Sequence, residues 1–199
     1  FKNGTRAVNA HDFAYSFNRI ISSEIASTGA WIFNDKVLKN EDGSISDTCF
    51  KAINDHTFKV YLNEPFPAFL HILTMAYAYV VPSEIADNFG KEFRINPIGT
   101  GAFKFKHYEE GNMLILTKNE SYWKKDNAGN NLPYLDAINV SFVKDKKVAF
   151  LNFTKKNLHF ISGLDETSKG VALTLEGKLK DKYKNQFKFN KTPFLNTEY

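Results

Sequence analysis

The chain has 199 residues, 43% of them apolar and 24% charged, with a formal charge of +4, enough for the packed core of one domain or two small ones. No run reaches the roughly 18 apolar residues of a membrane-spanning helix, and no signal peptide is visible. Acidic residues are interspersed even in the basic stretch Lys178, Lys180, Lys182, Lys184 and Lys188, which reads as a solvated face and not as a nucleic-acid surface.

In chain order, Asn9 with Asp12 three residues on forms a loose capping box. Phe13, Phe17, Ile20 and Ile21 follow at helical spacing, so Ala10 to about Ser23 is predicted as an amphipathic helix. Ser22 to Asp35, with Gly29 and Trp31, reads as irregular, and Asp42-Gly43 is a turn signal. A hairpin is predicted around Asn54-Asp55-His56-Thr57, with Phe58, Val60 and Leu62 alternating after it. Pro65 and Pro67 open a short helix through Phe69, Leu70 and Leu73. Tyr77 to Val81 reads as a strand, and Ser83 as the cap of a helix over Glu84 to Phe89.

Ile98-Gly99-Thr100-Gly101 reads as a tight turn that requires positive φ. Phe103, Phe105 and His107 alternate after it and pair with Met113 to Lys118 through the Glu110-Gly111-Asn112 turn. Asp126 to Pro133 is a polar loop, Leu135 to Val143 a strand, and Lys146 to Thr154 a helix. A strand is predicted at Leu158 to Ile161, a helix over Thr167 to Leu179, and the start of a strand at Phe187 to Phe189. The alternation gives a mixed α/β domain.

The chemistry-bearing residues do not form a catalytic pattern. His11, His56, His71, His107 and His159 show no metal-ligand spacing. No Gly-x-Ser-x-Gly elbow is present, and the Gly-rich turn lacks the Lys-Ser/Thr of a phosphate loop. Glu109-Glu110 beside Gly111 reads as solvated, whereas acid–base work needs a carboxyl in a positioned, tuned site. Cys49, the lone cysteine, cannot form an internal disulfide and reads as a buried structural thiol. No enzyme, cofactor or metal is expected. The 19 Phe and 9 Tyr serve either a core or apolar ligand walls.

A chain-long resemblance sharpens this. Asn3-Gly4-Thr5 and Val8-Asn9-Ala10-His11-Asp12-Phe13-Ala14-Tyr15-Ser16-Phe17-Asn18-Arg19 resemble the family 5 extracellular solute-binding proteins, with His11 in place of the usual acid. Thr57 to Pro67, Val81-Pro82-Ser83-Glu84, Asn96-Pro97-Ile98-Gly99-Thr100-Gly101-Ala102-Phe103, Lys118 to Trp123 and Pro133-Tyr134-Leu135-Asp136 follow in the family's order. Ala102 stands where Pro is usual, and His159 ends a Lys156-Asn157-Leu158-His159 segment where the family has an Asp.

The resemblance implies an α/β, periplasmic-binding-protein-like mixed sheet with flanking helices, a partial first lobe of a two-lobed protein. Residues 1–95 would be a subdomain inserted in that lobe, and 96–199 its core sheet and the start of the crossover to the second lobe. An opening at Phe1, not Met, fits a processed or excised product. The implied function is peptide capture for an ABC importer, in the periplasm or otherwise outside the cytoplasm, with a lipid anchor as one option. Permease subunits would be the partners. Nickel, haem or another solute on the same fold, or signalling or adhesion, are the alternatives. Trp31, Tyr77 and Tyr79 are the candidate ligand-wall residues, with core packing the competing reading for the two tyrosines. Trp123 is expected to anchor a loop. A fragment of a larger sheet is also expected to self-associate through unpaired edges.

Overall fold

A computed structural model describes residues 6–193, which fall into two compact units. The first comprises Phe1–Tyr108 with Leu114–Asn139, and the second Glu109–Met113 with Val140–Tyr199.

In the first unit, α1 (Ala10–Ile21) starts where the pattern places it. The Asn9 side chain accepts from the N–H groups of His11 (3.0 Å) and Asp12 (3.3 Å), and the Asp12 carboxylate accepts from Asn9 N–H (3.0 Å). This reciprocal pairing satisfies backbone donors that the first turn cannot satisfy itself. Asp12 is thereby buried, and Arg6 neutralises it through bonds of 2.7 and 2.5 Å while also gripping Glu84 at 2.7 and 2.8 Å.

The buried face of α1 meets a hairpin of β1 (Phe50–Asn54) and β2 (Thr57–Val60), paired antiparallel with Phe50 opposite Val60 and Ala52 opposite Phe58. Phe17 sits among Phe33, Phe50 and Phe58 at ring separations of 5.0, 5.3 and 5.5 Å. Edge and tilted geometries dominate, as the ring quadrupoles favour. Ile32, Phe33, Val37 and Cys49 complete this core with no solvent exposure.

The segment read as irregular contains a helical turn, α2 (Trp31–Asn34), because Ile32 and Phe33 both plug the core. Next comes α3 (Phe69–Ile72). The strand expected at Tyr77 to Val81 does not form. Ala76–Ala78 is a 3₁₀ turn, and Val81 N–H donates to Ser16 Oγ (2.8 Å), a side-chain partner in place of a ladder. In α4 (Ser83–Phe89), Ser83 is the first helical residue and makes no cap. Pro82 occupies the cap position, and Gly90 ends the helix at φ +51°.

Three further strands, β3 (Phe103–Glu109), β4 (Met113–Lys118) and β5 (Ala137–Ser141), lie in spatial order β3-β4-β5, with most of their residues in the first unit and Glu109, Met113, Val140 and Ser141 in the second. Gly111 makes the β3–β4 turn at φ +72°. Gly99 and Gly101 depart from expectation: neither adopts positive φ, and no backbone or side chain crowds the place of a Cβ at Gly99. Their turn is held by Asn119, whose Nδ2 donates to the Gly101 carbonyl (2.9 Å) and whose N–H donates to that of Ala102 (2.9 Å). Two separated sequence signatures are thus one hydrogen-bonded corner.

In the second unit, α5 (Lys146–Thr154) matches its predicted span, and Asp145 caps it by accepting from Lys147 and Val148 N–H (2.7 and 3.2 Å). Helix α6 (Glu166–Ala172) is shorter than the predicted Thr167–Leu179. The chain reverses at Gly177 (φ +72°), and Leu173 bridges back to Leu179. A further turn, α7 (Asp181–Lys184), falls inside the lysine-rich stretch and buries Tyr183. Lys178, Lys182, Lys184 and Lys188 are exposed, as expected of a solvated face. No strand forms at Leu158–Ile161 or Phe187–Phe189.

Candidate functional site

The core of the first unit is built on buried phenylalanines, Phe17, Phe33, Phe50 and Phe69. Trp31, Tyr77 and Tyr79 are 55%, 45% and 70% exposed. In α2 the neighbours Ile32 and Phe33 are wholly buried, so helical geometry turns Trp31 outward. Ala78 is buried and anchors the 3₁₀ turn, which leaves Tyr77 at the surface.

Trp31 and Tyr77 meet edge to face, with ring centroids 6.1 Å apart and an interplanar angle of 75°. Beneath them, the Tyr77 ring lies against Gly29, where a Cβ would fall 2.6 Å from Tyr77 Cδ1. That contact is closer than any carbon pair tolerates, so glycine is a steric requirement at this position. Tyr79 stands two residues on and makes no ring contact with the pair among the described residues.

Such an arrangement offers a rigid apolar wall with hydroxyl and indole N–H groups at its margins. It can hold aliphatic or aromatic side chains, orient a polar group at its edge, or receive a cation over a ring face. Cys49 is fully buried, and burial pushes its thiol up to about 11, which makes it a poor nucleophile. Among the described residues, no group of three or more His, Cys, Asp or Glu is placed to hold a metal, and no helix is long and apolar enough to cross a membrane.

The three sequence-predicted residues therefore divide: two form a pair, and the third stands apart from it. Gly29 was missed as the residue that seats the pair, although a glycine two residues before Trp31 is a visible signal. Trp123, expected to anchor a loop, is 72% exposed, and its ring lies 5.8 Å from that of Tyr122. The loop from Asp126 is instead fixed by its own carboxylate, which accepts from Tyr134 Oη (2.6 Å) and Asn130 Nδ2 (2.9 Å).

Comparison with known proteins gives the following. The sequence profile described as bacterial extracellular solute-binding proteins, family 5 (middle), matches residues 1–198. The periplasmic oligopeptide-binding protein OppA of Salmonella typhimurium is 29% identical over 200 residues, 96% of this chain and 34% of that protein. The chain thus spans about a third of the length of this curated relative. Among solved structures, DppA of Helicobacter pylori in complex with the peptide STSA aligns with a TM-score of 0.68 at 21% identity, covering 85% of this chain and 33% of that one. NikZ of Campylobacter jejuni in complex with Ni(L-His) aligns with a TM-score of 0.58 at 21% identity, covering 76% and 27%. The structural likenesses establish the fold, a mixed α/β arrangement that resembles between a quarter and a third of each of those chains.

Proposed function

The chain belongs to the bacterial extracellular solute-binding proteins of family 5, and on that premise we propose that it is part of a peptide-capturing component of an ABC importer. The observation that carries the reading is the exposed Trp31–Tyr77 pair, seated on Gly29 in a unit whose core buries Phe17, Phe33, Phe50 and Phe69. The pair forms one wall of the peptide site, and Tyr79 offers a separate exposed ring. The rest of that site, including the charges that hold the peptide ends, comes from the remaining length of the protein. Residues 1–95 form a subdomain inserted in the first lobe, and residues 96–199 return to its core sheet and begin the crossover to the second.

An extended peptide is held largely through its backbone, with its side chains in roomy wet pockets, and closure of the lobes sequesters it. The aromatic wall contributes apolar area without selecting one sequence. The protein works outside the cytoplasm, with or without a lipid anchor, and hands its ligand to permease subunits without chemical conversion.

The test is a thermal-shift series on the full-length mature protein with di-, tri- and longer peptides, and with nickel and haem alongside. A ligand that binds only the folded state raises the melting temperature by mass action. Peptides are expected to raise it for the full-length protein and not for the 199-residue chain, and Trp31→Ala is expected to reduce the shift. Shifts with nickel or haem alone, or with no ligand, would leave the family and fold in place and remove the peptide reading.

A further inference from the structure

The second unit contains an open-sided cavity of about 1120 Å³ that no sequence motif announced. Its apolar lining includes Phe150, Phe153, Phe160, Phe187 and Phe189 from α5 and from the extended segments on either side of α6 and α7. Two of these rings are fixed by their neighbours: Phe153 lies 4.6 Å from Phe187, and Phe187 stacks on buried Tyr183 at 5.2 Å. Phe160 is 78% exposed, so the wall opens to solvent at one side.

The charged lining has a single sign. Lys156, Lys169, Lys188 and Lys191 all border the cavity, with His159 beside them, and among the described residues no aspartate or glutamate does. Lys169 is paired with Glu166 at 2.8 Å. Lys156, Lys188 and Lys191 have no ion-pair partner among the described residues. Lys191 reaches to Gly177, its Nζ 3.5 Å from where a Cβ would stand, and both residues line the cavity. The protein as a whole nearly balances its charges, with 26 Lys and Arg against 22 Asp and Glu, so this local excess is not a consequence of composition.

We propose that this cavity binds an amphipathic monocarboxylate, with its hydrocarbon portion among the phenylalanines and its carboxylate between Lys188 and Lys191. Burying a chain of methylenes is favourable by about 0.8 kcal/mol each, and a carboxylate placed at a cationic rim keeps a charged partner and water. The few uncharged polar side chains in the lining, Ser162, Gln186 and Asn190, suit one head group better than the several amides of a peptide, each of which costs free energy when buried without a partner. The site is separate from the Trp31–Tyr77 wall and does not depend on the peptide reading.

The experiment compares decanoate, 1-decanol and decyltrimethylammonium on the 199-residue chain by titration calorimetry below their aggregation concentrations, with the tripeptide Gly-Gly-Leu as competitor. Decanoate is expected to bind at least tenfold more tightly than either of the other two. The double variant Lys188→Glu/Lys191→Glu, at exposed positions, is expected to lose that preference while keeping the wild-type melting temperature. Phe160→Ser, which removes an exposed ring, is expected to weaken all three. Equal binding of the three amphiphiles, no binding, a preference that survives charge reversal, or displacement of decanoate by equimolar tripeptide would each overturn the assignment.

Discussion

At Gly29 the absence of one methyl group decides how an aromatic pair sits. A Cβ there would lie 2.6, 3.0 and 3.2 Å from Cδ1, Cγ and Cβ of Tyr77, and the Cβ end of that ring cannot swing away without moving the 3₁₀ turn. Gly29→Val is expected to lower stability by about 1–3 kcal/mol, the usual range for overpacking, and to shift tryptophan emission as Trp31 loses its edge contact. An unchanged spectrum would show that the pair is not seated by the glycine. Arg6 provides a second residue-scale test. Its guanidinium holds the carboxyls of both Asp12 and Glu84 below the ordinary carboxylate range, Glu84 at about 2. A depressed carboxylate contributes stability above its unfolded value of about 4, and that contribution is lost as pH falls toward the folded value. Wild-type urea midpoints are therefore expected to drop between about pH 4.5 and 2, and those of Arg6→Ala to start lower at pH 7 and fall less. Parallel curves for the two proteins would assign the acid sensitivity to other carboxylates.

At the scale of elements, the phenylalanine core joins α1, α2 and the β1–β2 hairpin. Phe33 is its centre, unexposed and within 5.0 Å of Phe17, 4.9 Å of Phe50 and 6.2 Å of Phe69. Phe33→Ala is expected to cost about 3–5 kcal/mol by loss of transfer energy and formation of a cavity, measurable by urea denaturation followed by circular dichroism. A cost under about 1 kcal/mol would mean that the rings repack. Elements with local causes were legible beforehand. Helix α1 has its capping box and α5 its Asp145 cap, and both begin where the residues predict. The hairpin turn at Asn54–Thr57 was equally plain. Failures cluster where an apolar run needs a distant partner. Tyr77–Val81, Leu158–Ile161 and Phe187–Phe189 have strand-like composition, yet a strand exists only through its neighbour, and nothing local supplies one. In the same way, the helical pattern past Ala172 is cut by the Gly177 reversal, which favours a Leu173–Leu179 bridge over another helical turn. The aromatic pair was legible as residue types but not as a contact, because it depends on the approach of Gly29 to a segment far along the chain. The lysine-rimmed cavity was not legible at all, because its residues come from three stretches with no shared signature.

For the whole molecule, the spatial order β3-β4-β5 gives β3 and β5 only one strand neighbour each among the described residues. Such edges present unpaired backbone groups that can recruit another chain. We expect the 199-residue chain to show concentration-dependent association by analytical ultracentrifugation, and Asn139→Pro, which removes a donor from β5, to weaken it severalfold. A chain that stays monomeric throughout the micromolar range would mean these edges are protected.

Cys49 turns the phenylalanine core into a clock. The sequence contains one cysteine, it is fully buried in the first unit, and its thiol is shifted up to about 11. At pH 8 the folded thiol is ionised to roughly one part in a thousand, against about a quarter for a free cysteine, and it has no route to reagent besides. A disulfide reagent such as Ellman's therefore reads only the moments when that core opens, and the second unit stays silent to it. Labelling in native buffer is expected to run at least a hundredfold slower than in denaturant, and Phe33→Ala to accelerate it in proportion to the stability lost. The 199-residue chain thereby carries its own timer for the opening of one unit, with no label to engineer in.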